Sequence, residues 1–244
     1  MRLFGLIGYP LGHSFSGKYF AEKFSREGIA DARYDLFPLP SIDAFPQLWK
    51  DQPELVGLNV TIPYKAAVIP FLDALSPVVA EIGACNCILR KDGKLHGFNT
   101  DVVGFDKTLE ATGDIPAGEA LVLGTGGASR AVDYVLAQRG IPFRHVSRQP
   151  RGDDFHYEQL TPAILERCRL IINTTPLGMH PNVDAYPKIP FEAVGPEHLL
   201  IDLIYNPAIT RFMEKGLERG ARVANGALML VEQAEESWRI WNAG

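Results

Sequence analysis

The chain has 244 residues, 46% of them hydrophobic and 22% charged, which gives room for one large or two modest cored domains. Its net charge of −5 supplies no basic stripe to neutralise a phosphate backbone, which argues against nucleic-acid binding. No apolar run is long enough for a membrane span, and the N-terminal apolar patch is broken by Gly8 and Pro10, against a signal peptide.

The first hundred residues alternate in character. RLFGLI reads as a buried strand, and GKYFAEKFSREG as a short helix closed by Gly28. ARYDLFPL and LVGLNVTI read as further strands, with a helical SIDAFPQLWKD between them. This alternation points to βαβ units and a mainly parallel sheet. Pro63 is expected to open a helix over PYKAAVIPFLDAL, and Ser76-Pro77 another. NCILRKDGKLHGF has the pattern of a hairpin with a type I′ turn at Asp92-Gly93.

After Asn99-Thr100-Asp101 a helical VVGFDKTLEATG is expected to connect to a second alternating series. In that series ALVLG, PFRHVS, LIINTT, HLLIDLIY and ARVANG are strands, ASRAVDYVLAQRG and TRFMEKGLERG are helices, and ALMLVEQAEESWRIW is a long last helix. Trp238 and Trp241 are spaced for one packed face of that helix. The expected division is a domain over residues 1–101 completed by a C-terminal helix over 226–244, and a second domain over 102–225.

LVLGTGGASRAV carries a cofactor signal. Gly124 and Gly126 turn the chain after a strand, and a helix follows from near Gly127 with Ala128 and Ser129 in its first turn. Glycines there let backbone N–H groups approach a pyrophosphate at the helix N-terminus. The third glycine of GxGxxG is absent, since Ser129 takes its place, and a plain glycine-rich turn would read the same way. The next strand ends at Ser147 and Arg148, with Arg151 close by, where an NAD-binding chain offers an acid to the ribose. Guanidinium groups suit a 2′-phosphate, so NADP is favoured over NAD.

Two further stretches hold chemistry-bearing residues. NVTIPYK puts Lys65 in the first turn of the helix expected after Pro63, where the helix dipole disfavours a cation; a solvated lysine remains open, but a ligand-facing one explains the placement better. In GFNTD, Asn99 or Thr100 can cap the next helix and Asp101 suits its first turn, a reading that needs no ligand. In HSFS, Ser14 and Ser16 occupy alternate positions and share one side if the segment is extended, although Ser16 also suits a helix cap. His13, His96 and His180 read as loop or surface residues. Cys85, Cys87 and Cys168 form no CxxC pair and are expected as reduced thiols of a cytoplasmic enzyme; no metal is expected.

HSFS, NVTIPYK, GACN, GFNTD, GTGGASRA, SR, NTTPLGM, YNP and GALMLVEQA occur in the order seen in shikimate dehydrogenases, and the chain resembles that family from about Gly8 to Gln233. The resemblance implies an α/β fold, with an N-terminal α/β substrate domain, a Rossmann-type NADP-binding domain and a cleft between them. It implies reversible reduction of 3-dehydroshikimate to shikimate by NADPH, a step of chorismate and aromatic amino-acid biosynthesis. It gives Lys65 the part of catalytic lysine and Asp101 that of its partner. Ser14 and Ser16 match a pair holding the substrate carboxylate; Thr61, Asn86, Gln233 and Tyr205 match further substrate contacts. Thr174, Pro176, Met179, Leu203 and Gly226 would line the nicotinamide end.

The chain departs from the family pattern at Gly17, where proline is usual, at Cys85 and Thr125, in the short segment from Gln149 to Arg169, and in SRQPR around the arginine. Two other readings share the fold. A quinate/shikimate enzyme using NAD would carry an acid in place of Ser147-Arg148, and none occurs before Asp153. A non-catalytic NADP-binding regulatory protein would be expected to lose Lys65 or Asp101. The partner expected is a small-molecule substrate, with no nucleic acid or membrane, for a monomer or homodimer.

Overall fold

The computed structural model describes residues 1–12 and 15–243. The chain forms two compact units, one of Met1–Thr100 with Ala234–Gly244, the other of Asp101–Gln233.

The first unit is built from β1 (Arg2–Gly8), α1 (Phe15–Glu27), β2 (Ala32–Pro38), α2 (Phe45–Asp51), β3 (Leu55–Val60), β4 (Ala74–Leu75), α3 (Pro77–Ile82), β5 (Cys87–Lys91) and β6 (Lys94–Phe98). Its sheet runs β2-β1-β3-β5-β6-β4. The first three strands are parallel, as the alternating pattern predicts, whereas β5 runs antiparallel to β3 and returns as β6. The connecting hairpin pairs Lys91 with Lys94, and both turn residues are left-handed, Asp92 at φ 51° and Gly93 at φ 75°. Gly28 ends α1 at φ 66°, and Ser76 caps α3 by accepting the Val79 N–H at 3.4 Å.

Two sequence expectations fail here. No α-helix forms over PYKAAVIPFLDAL; the segment is a series of turns with a 3₁₀ turn over 69–71 and the short β4. Pro70 is the reason, because it lacks the N–H that would continue an α-helix, leaving too few residues after Pro63 for one. The dipole argument about Lys65 goes with it. Ser16, in turn, is neither extended nor a cap: α1 begins at Phe15, so Ser16 lies inside its first turn. Ser14 and His13 fall outside the described residues.

The second unit contains α4 (Asp101–Ala111), β7 (Ala120–Leu123), α5 (Gly127–Gln138), β8 (Phe143–Ser147), β9 (Phe155–His156), α6 (Pro162–Arg167), β10 (Leu170–Asn173), β11 (Leu199–Asp202), α7 (Arg211–Leu217), β12 (Arg222–Asn225) and the first turns of α8 (Ala227–Asn242). All its strands are parallel, in the order β12-β11-β10-β7-β8-β9. This is the doubly wound arrangement, whose strand order reverses beside β7, between β10 and β8. Strands buried on both faces need apolar residues throughout, and ALVL, LIIN and LLID are fully buried.

The last helix contributes to both units. Met229 packs in the second unit's core with Phe105 and Leu109. A Cβ on Gly104 would lie 2.5 Å from the Met229 carbonyl oxygen, so only glycine lets α4 approach α8 this closely. Further on, Ala234 and Trp241 join Phe4, Phe20 and Cys87 in the first unit. Trp241 stacks on Phe4 with centroids 4.8 Å apart and donates Nε1–H to the Ile88 carbonyl at 3.0 Å.

Candidate active site

In the first unit the candidate residues gather at the C-terminal end of β3. The Thr61 N–H donates to the Ile7 carbonyl and Val60 N–H to that of Asn86, which ties the strand end to its neighbours on both sides. Thr61 then accepts the Tyr64 N–H at 2.9 Å, while the Tyr64 hydroxyl donates to the Leu39 carbonyl. The next residue is Lys65, half-buried, whose carbonyl accepts the Cys85 N–H at 2.7 Å. The lysine is thus held by a braced turn, not by a helix.

Asn86 does more than its family match implies. Its Oδ1 accepts the Thr100 N–H at 2.6 Å, and its Nδ2 donates to Thr100 Oγ1 at 3.0 Å. Thr100 Oγ1 lies 3.2 Å from Ser237 Oγ, and Ser237 Oγ accepts from Asn59 Nδ2 at 2.8 Å. The Tyr34 hydroxyl donates to Asn59 Oδ1 at 2.9 Å. Desolvation pushes the Tyr34 hydroxyl well up in pKa, and a hydrogen bond with the Ser16 side chain opposes that. Ser16 thereby meets a buried polar network that sequence reasoning missed. Asn59 was its visible signal, a lone amide in a strand that is otherwise apolar.

In the second unit, Asp101 is buried and opens α4, where the helix dipole favours an acid. Gln233 is also buried, and its amide donates to the Leu230 carbonyl at 2.8 Å. The glycine turn follows β7. Gly124 adopts φ 106°, and a Cβ there would meet Thr174 Oγ1 at 2.9 Å. Gly126 and Gly127 would meet nothing within 4 Å, so their backbone faces open space at the head of α5. Gly126 makes no side-chain cap, Ala128 is half-buried, and the buried Ser129 donates to the Gly126 carbonyl at 2.8 Å. An uncapped helix start with a glycine-lined opening fits a dinucleotide pyrophosphate.

After β8, Ser147 is buried and its hydroxyl accepts the Gln149 N–H at 3.2 Å, so it shapes the turn. Arg148 and Arg151 are exposed on that loop. At the other strand ends, Thr174 Oγ1 donates to the Leu123 carbonyl at 2.8 Å, next to the glycine turn. Pro176 and Met179 are exposed, and Tyr205 is partly so. Gly226 sits against the residue that follows β11, where a Cβ would lie 2.0 Å from the Leu203 carbonyl oxygen.

These loops are fixed by a residue the sequence reading passed over. The fully buried Asp202 accepts from Asn173 Nδ2 at 3.1 Å, from the Ile204 N–H at 3.0 Å and from Thr210 Oγ1 at 2.6 Å. Burial raises its carboxyl pKa, and those three bonds pull it back. A lone acid inside HLLIDLIY was the available clue. Cys85, Cys87 and Cys168 are free and buried, and burial pushes the Cys168 thiol up to about 11. Among the described residues no three His, Cys, Asp or Glu side chains form a metal-binding group, and no helix is long and apolar enough to cross a membrane.

The all-parallel, doubly wound unit with its glycine turn at the head of α5 defines a class of protein, the α/β proteins with a dinucleotide-binding fold. The particular family follows from comparison with known proteins. The profile described as the shikimate dehydrogenase substrate binding domain matches residues 6–88. The chain is 36% identical to a shikimate dehydrogenase (NADP(+)) of Halothermothrix orenii, over 98% of this chain and 90% of the relative. It is 38% identical to one of Geobacillus kaustophilus, over 98% and 92%. A crystal structure of the shikimate 5-dehydrogenase of Thermus thermophilus, in complex with NADP(H) and shikimate, superposes with a TM-score of 0.88 at 33% identity, covering 100% of this chain and 94% of that one. The chain belongs to the shikimate dehydrogenase family.

Proposed function

We propose that this chain is an NADP-dependent oxidoreductase that interconverts 3-dehydroshikimate and shikimate. Its near full-length likeness to shikimate dehydrogenases (NADP(+)) carries this reading. When bound, NADPH supplies the hydride that reaches the ketone carbon. Gly124, Gly126, Gly127, Ala128 and Ser129 serve the pyrophosphate, and Arg148 beside Ser147 serves the 2′-phosphate. Thr174, Pro176, Met179, Leu203 and Gly226 border the nicotinamide.

On the substrate side, Lys65 holds the ketone oxygen, stabilises the negative charge that develops there and offers it a proton. Asp101 orients that ammonium and binds an adjacent hydroxyl. Ser14 and Ser16 take the carboxylate, with Thr61, Asn86, Tyr205 and Gln233 as further contacts. The helical placement of Ser16 means that its hydroxyl is presented by the first turn of α1. The two units correspond in this reading to a substrate domain and an NADP domain, with the boundary inside α8. The enzyme acts in the cytoplasm, where its three free thiols stay reduced.

The test follows NADPH formation from NADP+ and shikimate, with quinate and NAD+ in parallel. Turnover with shikimate and NADP+ well above the other pairings is expected. Cofactor binding with no turnover in any pairing would overturn the proposal.

A further inference from the structure

We propose that Asp154 is a positioning residue for cofactor selection, shaping the loop over residues 148–154 so that its arginines meet the 2′-phosphate. The inference rests on the reading of that loop as the NADP-selecting one.

Seven residues separate β8 from β9, and two polar side chains close the loop they make. Ser147 Oγ accepts the Gln149 N–H and sets its start. Asp154 sets its end. Asp154 Oδ2 accepts the Arg151 N–H at 3.4 Å, and the Asp154 N–H donates to the Arg151 carbonyl at 3.0 Å. Asp154 Oδ1 accepts the His145 N–H at 3.2 Å, which fastens the loop end to β8. Arg151 is thus gripped at both backbone polar groups by one aspartate. Its guanidinium, like that of Arg148, is absent from every ion pair among the described residues.

The aspartate is itself braced. The His145 ring donates Nε2–H to Asp133 Oδ1 at 2.9 Å, and its Nδ1 lies 3.8 Å from Asp154 Oδ1. Asp133 belongs to α5, the helix whose first turn is the glycine cradle. Asp133, His145 and Asp154 therefore link the pyrophosphate helix, β8 and the arginine loop in one chain of contacts. The neighbouring cation Arg144 is taken by Glu119 at 2.9 Å, and His156 Nδ1 accepts the Glu158 N–H. All three linked side chains are only about a fifth to a quarter exposed, so water competes weakly for these bonds.

An aspartate near a phosphate site would ordinarily repel the ligand. Here both carboxylate oxygens accept backbone N–H groups, which turns the charge toward the loop's own backbone. What remains is geometry: two arginines on a loop that would otherwise sample many conformations. Preorganisation of this kind strengthens binding by reducing the ordering cost.

The test is calorimetric titration of NADP+ and of NAD+ into the wild-type protein, Asp154→Ala and Asp154→Asn. Asp154→Ala should weaken NADP+ binding roughly tenfold, the scale of a lost bond to a charged group, and leave NAD+ within about twofold. Asp154→Asn keeps the shape and one acceptor for two N–H groups, so it should fold and lose about threefold for NADP+ alone. An unchanged NADP+/NAD+ ratio in both variants, or equal weakening of the two cofactors, overturns the inference; so does a wild-type protein with no preference for NADP+. The proposed activity fails separately. If the wild type does not oxidise shikimate yet Asp154→Ala narrows the NADP+/NAD+ ratio, the function falls and the inference stands.

Discussion

Asn86 and Thr100 hold each other through both ends of one amide: Oδ1 accepts the Thr100 N–H at 2.6 Å and Nδ2 donates to Thr100 Oγ1 at 3.0 Å. Both residues are buried, so neither bond is readily replaced by water. Asn86→Ala should therefore destabilise the protein by about 1–3 kcal/mol, because a buried N–H and a hydroxyl lose their partner. Urea unfolding measures this, and a midpoint equal to that of the wild type would contradict the bracing role.

Lys65 stands on a braced turn and not in a helix, so replacing it disturbs no helical ladder. Lys65→Ala is expected to lower kcat by ~10²–10⁴, the range for a lost acid–base group, with little change in melting temperature. Unchanged turnover would remove the lysine from the mechanism.

Arg148 is exposed and carries no ion pair among the described residues. Arg148→Ala should weaken NADP+ about 10–100-fold, by loss of a charge-assisted bond, and NAD+ hardly at all. Titration with each cofactor separates the two outcomes. Equal losses would show that Arg148 supports the fold and not the 2′-phosphate.

At Gly226 the obstacle is backbone against backbone. A Cβ would lie 2.0 Å from the Leu203 oxygen and 2.6 Å from its carbonyl carbon, atoms that cannot swing aside. Gly226→Ala should cost more than about 2 kcal/mol, as overpacking at a rigid contact does. Thermal unfolding provides the check, and a variant as stable as the wild type would refute the close approach.

His145 offers a pH signature. The hydrogen bond to Asp133 outweighs desolvation and raises its pKa above the ordinary imidazole value. A raised folded-state pKa means the stabilisation is fully present below the unfolded value of about 6.5 and disappears as pH rises through the folded one. The wild type should therefore lose stability relative to His145→Gln as pH climbs from below the ordinary imidazole value to well above it. Parallel pH profiles of the two melting temperatures would exclude the ion pair as their cause.

Much of the fold was legible because local rules and tertiary structure agree. Asp92-Gly93, Gly28 and Ser76 end or start elements for reasons contained in a few residues. The all-parallel second sheet shows in its uninterrupted apolar runs. Where a longer-range fact decides, the sequence misleads. Pro70 cancels the helix that Pro63 invites, and the start of α1 at Phe15 turns the alternate serine positions from an extended pair into one residue of a helical turn.

The candidate site shows the same division. Glycines and arginines stand out as candidates by their spacing, whereas Asp202 and Asn59 matter through partners distant in sequence. Asn59 meets Ser237 across 178 positions. No local window contains such a pair. A lone polar residue in an apolar strand is the most that sequence offers.

The divided last helix has a consequence for how the chain comes into being. Ribosomal synthesis delivers residues 1–100 ahead of the last helix, yet their aromatic cluster lacks Trp238 and Trp241 until that helix is made. Every strand of the second unit's sheet precedes that helix in the sequence, so the earlier segment is synthesised well before its interior can be completed. A nascent chain stalled before Trp238 would keep Phe4 and Phe20 exposed to chaperones, and release of the terminal turns would close that surface.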